Sequence, residues 1–293
     1  MSAAGPSQGA NSAPPGGSAA AQPQAWGDHT SGWPLLAHEL DAWEALGSRA
    51  TLWWRDDDAC GDSPALRRLL DIARDYRVPI AVAAIPASAD ATLVDAIASC
   101  DEASVVQHGY AHCNHACAGE RSSELGSQRG LRERLDELSR GRERLVESFG
   151  PRFTPILVPP WNRIGDDLLT HLPGAGFRGV SRFGPRAMPS PAAGLREVNT
   201  HVDPIAWRRG REFIGVEAAI ARLVAHLRAR REHRCDADEP TGLLTHHLVL
   251  AGDAWDFLDN LYARTRDHRA AAWISVTQSF EARATPLTSS RSA

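Results

Sequence analysis

Three consecutive acids, Asp56, Asp57 and Asp58, follow the large apolar residues Leu52, Trp53 and Trp54. Carboxylates packed this closely repel one another, and a bound cation relieves the repulsion. A solvated turn capping the helix that starts near Pro64 would use the same residue types. Further along, His108 and His112 stand four apart in HGYAH, with His115 three residues beyond. In a helical turn both rings face one ion, and one Asp with two His is a common way to hold Zn²⁺ while leaving a position open for water. Cys113 and Cys117 interleave with these histidines and read as small buried packing residues rather than ligands. GLLTHHL offers His246 and His247 near the C-terminus. Side chains alternate along a strand, so one imidazole of the two faces a given site.

These residues share a position relative to the elements that must carry them. Short apolar runs at 51–57, 78–86, 104–110, 154–160, 177–183, 195–203, 241–250 and 271–277 read as strands. Amphipathic stretches at 64–76, 91–99, about 130–148, 216–231 and 253–265 read as the helices between them. This is βα alternation, which builds a parallel barrel or an open doubly wound sheet. Asp56 to Asp58, His108, Pro159 to Arg163, Asp203 and His246 all fall at or just past the C-terminal ends of strands. A barrel gathers those ends at one mouth, where catalytic groups collect, whereas an open sheet spreads them out.

Composition narrows the function. The 293 residues are 43% hydrophobic and 23% charged, ordinary for a globular chain with a sizeable core. A formal charge of −4 gives no electrostatic footprint for nucleic acid or an anionic membrane. All 32 basic residues are Arg, which excludes Schiff-base, pyridoxal-phosphate and P-loop lysine chemistry. Five scattered cysteines in a chain of this size fit a reducing compartment. The start of the chain lacks a charged n-region and an apolar h-region, and no run nears the roughly 18 apolar residues of a membrane span. A cytoplasmic location is therefore expected. Residues 1–25 are low in complexity and 285–293 are similar, so the expected domain is 26–284, flanked by two flexible tails. Nothing in the sequence bears on oligomeric state.

The order of these motifs resembles the polysaccharide deacetylase family, the family-four carbohydrate esterases, over about residues 50–280. Adjacent acids after the first strand, His-x-x-x-His after the third, Pro159-Pro160-Trp161 after the fourth, Asp203 with Trp207, and Leu-x-x-His near the end carry the likeness. The resemblance implies a distorted (β/α)7 barrel and metal-dependent hydrolysis of an N-acyl or related amide bond, on a glycan or a small molecule. It implies an acidic pair whose first member is the general base and whose second binds a divalent metal, most simply Zn²⁺, with His108 and His112. Spacing to Ser63-Pro64 aligns Asp56 with the base and Asp57 with the ligand; a shift by one gives Asp57 and Asp58. His246 aligns with the general acid, with His247 as the alternative, and Pro159, Pro160 and Trp161 align with the substrate groove. The family places an Arg directly before the two prolines, where this chain has Val158. Arg163 is the candidate replacement, paired to Asp203. Two other readings remain: hydrolysis of a small non-glycan C–N substrate, and a carbohydrate-binding barrel without turnover.

Overall fold

The computed structural model describes residues 32–281; the expected tails 1–25 and 285–293 lie outside them. In chain order the elements are α1 (Trp33–Ala45), β1 (Ala50–Ala59), α2 (Pro64–Tyr76), β2 (Ile80–Ala84), α3 (Ala91–Ala98), β3 (Ala103–His108), α4 (Leu131–Phe149), β4 (Phe153–Val158) and α5 (Asp166–Leu169). They continue with β5 (Gly179–Val180), β6 (Arg196–Glu197), the hairpin β7 (Ile205–Ala206) and β8 (Glu212–Phe213), α6 (Val216–Arg231), β9 (Thr241–Thr245), α7 (Asp253–Thr265), β10 (Ala271–Trp273) and α8 (Val276–Phe280). Local chemistry sets several boundaries. Ser63 caps α2 by accepting from the Leu66 amide, with Pro64 just inside; Asp90 caps α3, and Ser275 with Gln278 forms a capping box on α8. Helix α1 and the hairpin are not among the elements expected from sequence. The weakly amphipathic α1 is fixed by tertiary contacts, with buried Glu39 held by Arg228 and Arg231 of α6.

Strands β1 to β6 lie side by side in sequence order, all parallel. On the other side of β1, β9 pairs from Leu52↔Thr241 to Asp56↔Thr245, while β10 takes the first residues of the same edge. The ring closes just past β6. There Val202 bridges Leu243, the amides of His201 and Val202 donate to the Gly242 carbonyl at 2.7 and 3.0 Å, and the Leu244 amide donates to Val202 at 2.7 Å. Seven strands, β1 to β6 and β9, thus form the distorted (β/α)7 barrel. No helix among the described residues is long and apolar enough to cross a membrane.

Alternation along the strands separates two apolar layers. Trp53, Ala81, Ala83, Val106, Ile156, Val158 and Val198 fill the barrel. Leu52, Trp54, Val82, Val105 and Leu243 face outward against the helices. Because the strand period is two, this parity extends to the polar residues that follow. On β1, Arg55 and Asp57 share the inward side with Trp53, and Asp56 shares the outward side with Trp54. On β9, Thr245 faces outward with Leu243 and the next residue, His246, faces in.

Candidate active site

Each of the three acids has a different environment. Asp56 is fully buried, and its Oδ1 accepts from the Thr245 hydroxyl at 2.7 Å and the His247 amide at 2.9 Å. Its Oδ2 takes the His247 Nδ1–H at 2.5 Å. Burial alone would push the His247 imidazole down, but the charge and hydrogen bond of Asp56 raise it, so the two form a tight buried pair. This pair ties the end of β9 to β1 and lies behind the barrel wall.

Asp57 points inward and is gripped by Arg55 from two residues earlier. Nε donates to Oδ1 at 2.8 Å and Nη2 to Oδ2 at 2.9 Å, a bidentate pair with both side chains almost inaccessible. The guanidinium is itself held by the Ser181 hydroxyl at 2.6 Å and by Asn162 Oδ1 at 2.8 Å. The remaining faces of Asp57 open into the cleft.

Asp58 breaks the alternation. Its φ of 74° swings the carboxylate sideways, so that Oδ1 sits 3.0 Å from His108 Nε2 and 3.2 Å from His112 Nε2. Burial pushes this carboxyl up, but the His108 hydrogen bond and the charges of His108, His246 and His112 outweigh it and hold it well below the usual carboxylate range. His108 Nδ1 lies 3.0 Å from the Val158 carbonyl, a hydrogen bond that fixes the ring and presents Nε2 to Asp58. Two imidazole nitrogens and a carboxylate oxygen converge here, the donor types that a divalent ion such as zinc takes. One donor atom from each of the three residues lies within 4.8 Å of the others, so these residues fit a divalent ion with an open position.

The two histidines lie in no common helix. His108 ends β3, and the turn after it is irregular, with Gly109 at φ 54° and His112 at φ 55°. Buried Glu124 holds this turn by accepting from the amides of Tyr110 at 3.2 Å and Ala111 at 2.7 Å. A Cβ on Gly109 would collide with that carboxylate and with Pro160, in addition to the strain of its positive φ. Gly109→Ala is therefore expected to displace His112 and weaken metal binding at least about tenfold. Unchanged affinity in a metal titration would show that the turn does not position the ligand.

These groups line a cleft of about 810 Å³ at the C-terminal mouth of the barrel, together with Trp161, Arg163, Phe183, Asp203, Trp207 and His246. Its size suits a sugar-sized ligand, and Phe183, Trp207 and Leu248 give its rim an exposed apolar surface. The Trp161 ring stacks obliquely 4.3 Å from His112, and the Trp207 edge meets His246 at 4.6 Å.

No family model matches this chain, and no curated protein matches it by sequence. Its shape, by contrast, matches solved structures. A protein from Mycobacterium smegmatis assigned as a polysaccharide deacetylase superposes with a TM-score of 0.57 at 17% identity, over 80% of this chain and 90% of that one. The fold is that of the polysaccharide deacetylases. A mutant of a CE4 family pseudoenzyme with restored enzymatic activity superposes with a TM-score of 0.51 at 14% identity, over 80% and 68%. A pseudoenzyme restored to activity by mutation shares this fold, so activity must be argued from the site itself.

On this deacetylase fold the residues singled out in the sequence separate into two groups. Asp57, Asp58, His108, His112, Trp161, Arg163, Asp203 and His246 meet in the cleft. Asp56 and His247 instead pair with each other outside it, because the strand parity turns both outward. It is Asp58, not Asp57, that reaches the two imidazoles. Pro159 and Pro160 lie beneath the cleft as a buried corner. Arg163 does not pair with Asp203: its Nη1 donates to the Ser122 carbonyl at 2.6 Å, and Asp203 accepts from Trp207 Nε1 at 2.6 Å and the Ile205 amide at 2.9 Å. Burial pushes the Asp203 carboxyl up, partly offset by His246 and the Trp207 hydrogen bond. Cys113 and Cys117 are exposed, because the loop they occupy leaves the barrel surface. Arg55 was missed, although its signal is legible: a charge inside an apolar strand needs a carboxylate partner, and acids follow at once.

A second donor grouping, His201, His226 and Glu239, lies buried where the barrel closes. It does not fit an ion. The two rings stack at 3.5 Å, so their lone pairs run side by side, and the Gly242 amide donates to His201 Nδ1, leaving the proton of the neutral ring on Nε2. Burial holds His201 down to about 3 and His226 to about 2, so both are neutral packing groups.

Proposed function

We propose that this protein is a metal-dependent hydrolase that removes an acyl group, most simply acetyl, from an N-acylated sugar. The observation that carries this reading is that one cleft holds a convergent Asp58–His108–His112 donor set, the arginine-gripped carboxylate of Asp57, and the inward imidazole of His246. Asp58, His108 and His112 would hold the divalent ion, and one carboxylate with two imidazoles suits zinc. When bound, such an ion polarises a carbonyl and lowers the pKa of water.

The chain's own residues supply the rest. Asp57, held in direction by Arg55, takes a proton from the water attacking the acyl carbon. His246, which lines the cleft, donates a proton to the amide nitrogen as the C–N bond breaks, releasing a carboxylic acid and an amine. Trp161, Phe183 and Trp207 supply apolar faces against which a sugar ring can lie. The missing Arg at Val158, which had favoured a binding-only barrel, is offset by Arg55 reaching the same kind of carboxylate from β1.

His246→Ala tests the acid. It is expected to lower kcat by about 10² to 10⁴ with metal content retained, and the loss should shrink for substrates whose amine leaves readily. His247→Ala should instead appear as lost thermal stability, since it strands buried Asp56. Equal losses for good and poor leaving groups would reduce His246 to shaping the cleft.

A further inference from the structure

The cleft carries positive charge that no carboxylate among the described residues pairs with. Arg163, Arg211 and Arg222 line it, and Arg121 and Arg208 are close enough to depress the Arg163 guanidinium further, below the level set by its burial. Among the described residues no ion pair joins any of these five to a carboxylate: Arg163 donates to the Ser122 carbonyl, and Arg222 to the Asp203 carbonyl at 2.8 Å. Several covered arginines elsewhere do pair with acids, as in Arg55 with Asp57, Arg134 with Asp167, Arg182 with Glu197 and Arg186 with Asp236. The acids in the cleft are already committed. Asp57 belongs to Arg55, Asp58 to the two histidines, and Asp203 to Trp207 and the Ile205 amide.

We infer that the cleft recognises an anionic group on its substrate, a carboxylate or phosphate carried by the N-acylated sugar, through Arg163 backed by Arg211 and Arg222. The inference rests on the hydrolase reading of the same cleft. Like charges gathered around the partly buried Arg163 repel one another, and a bound anion turns that repulsion into charge-assisted hydrogen bonds. Arginine suits the task because its planar fork matches both carboxylate and phosphate oxygens, and among the described residues the one hydrogen bond of the Arg163 guanidinium is that to the Ser122 carbonyl. Arg211 also lies 6.0 Å over the Trp207 ring, which places a cation beside the apolar surface that would hold the sugar.

The test compares N-acetylglucosamine, N-acetylmuramic acid and N-acetylglucosamine 6-phosphate on the metal-loaded full chain, by kcat/KM and by binding. At least one anionic sugar is expected to be preferred over the neutral one by about tenfold or more, which also tells whether carboxylate or phosphate is read. In the Arg163→Gln/Arg211→Gln variant this ratio should fall toward one with metal content unchanged. For the unmodified protein the preference should shrink as salt rises, a readout that needs no variant. Deacetylation of all three sugars with equal kcat/KM would overturn the inference and leave the hydrolase reading standing. Arginine-dependent tighter binding of an anionic sugar without turnover would uphold the inference and count against the hydrolase reading. Equal binding of all three with no turnover would overturn both.

Discussion

Asp57→Asn is expected to lower the rate of deacetylation of an N-acetylglucosamine oligomer by about 10² to 10⁴ while the ion stays bound, the usual loss for one proton-transfer group. Its neighbours should fail differently. Asp58→Asn removes the carboxylate from the donor set it forms with His108 and His112, so metal content per chain should collapse along with activity. Asp56→Asn touches neither the ion nor the cleft; it breaks the buried pair with His247 and should cost about 3 to 5 kcal/mol of stability. Rate, metal content and Tm measured on the three variants give three distinct signatures. A full loss of rate in Asp56→Asn at unchanged Tm would mean that the strand parity has been misread by one residue.

The second large effect belongs to Arg55. Its guanidinium makes the two bonds to Asp57 and also engages Ser181 and Asn162, joining β1 to the loops after β5 and β4. Arg55→Gln leaves a buried carboxylate without its cation, at a cost of about 3 to 5 kcal/mol. For a domain of this size that lowers Tm on the order of 10 °C. The rate should fall as well, because Asp57 loses the partner that fixes its direction, whereas metal content should hold because none of the three donors touches Arg55. The double variant Arg55→Met/Asp57→Asn removes both charges, and should recover much of the Tm but none of the rate. A single variant with normal Tm and normal rate would show that Arg55 only fills space.

Why the acids had to be sorted by structure follows from β1 itself. The βα alternation, the barrel and the gathering of polar residues at one mouth are legible in the sequence, because apolar periodicity and strand ends are local properties. So is the likeness of His108 and His112 to a ligand pair. Which acid reaches them is not local. β1 is buried on both faces, with Leu52, Trp53 and Trp54 all apolar, so the pattern of residues does not mark which side faces the barrel. That side is set by which neighbours interdigitate: Trp53 packs among Ala81, Ala83 and Val106 inside, and Trp54 against Tyr262 of α7 outside. Once those contacts fix the parity, Arg55 and Asp57 turn in and Asp56 turns out. Asp58, at the strand end with a positive φ, is free to swing to the histidines. The same logic separates His246 from His247. Sequence thus determined which residue types stand at the mouth of the barrel. Only the packing between layers decided which atom of which residue faces the cleft, because a strand with two apolar faces carries no mark of its own orientation.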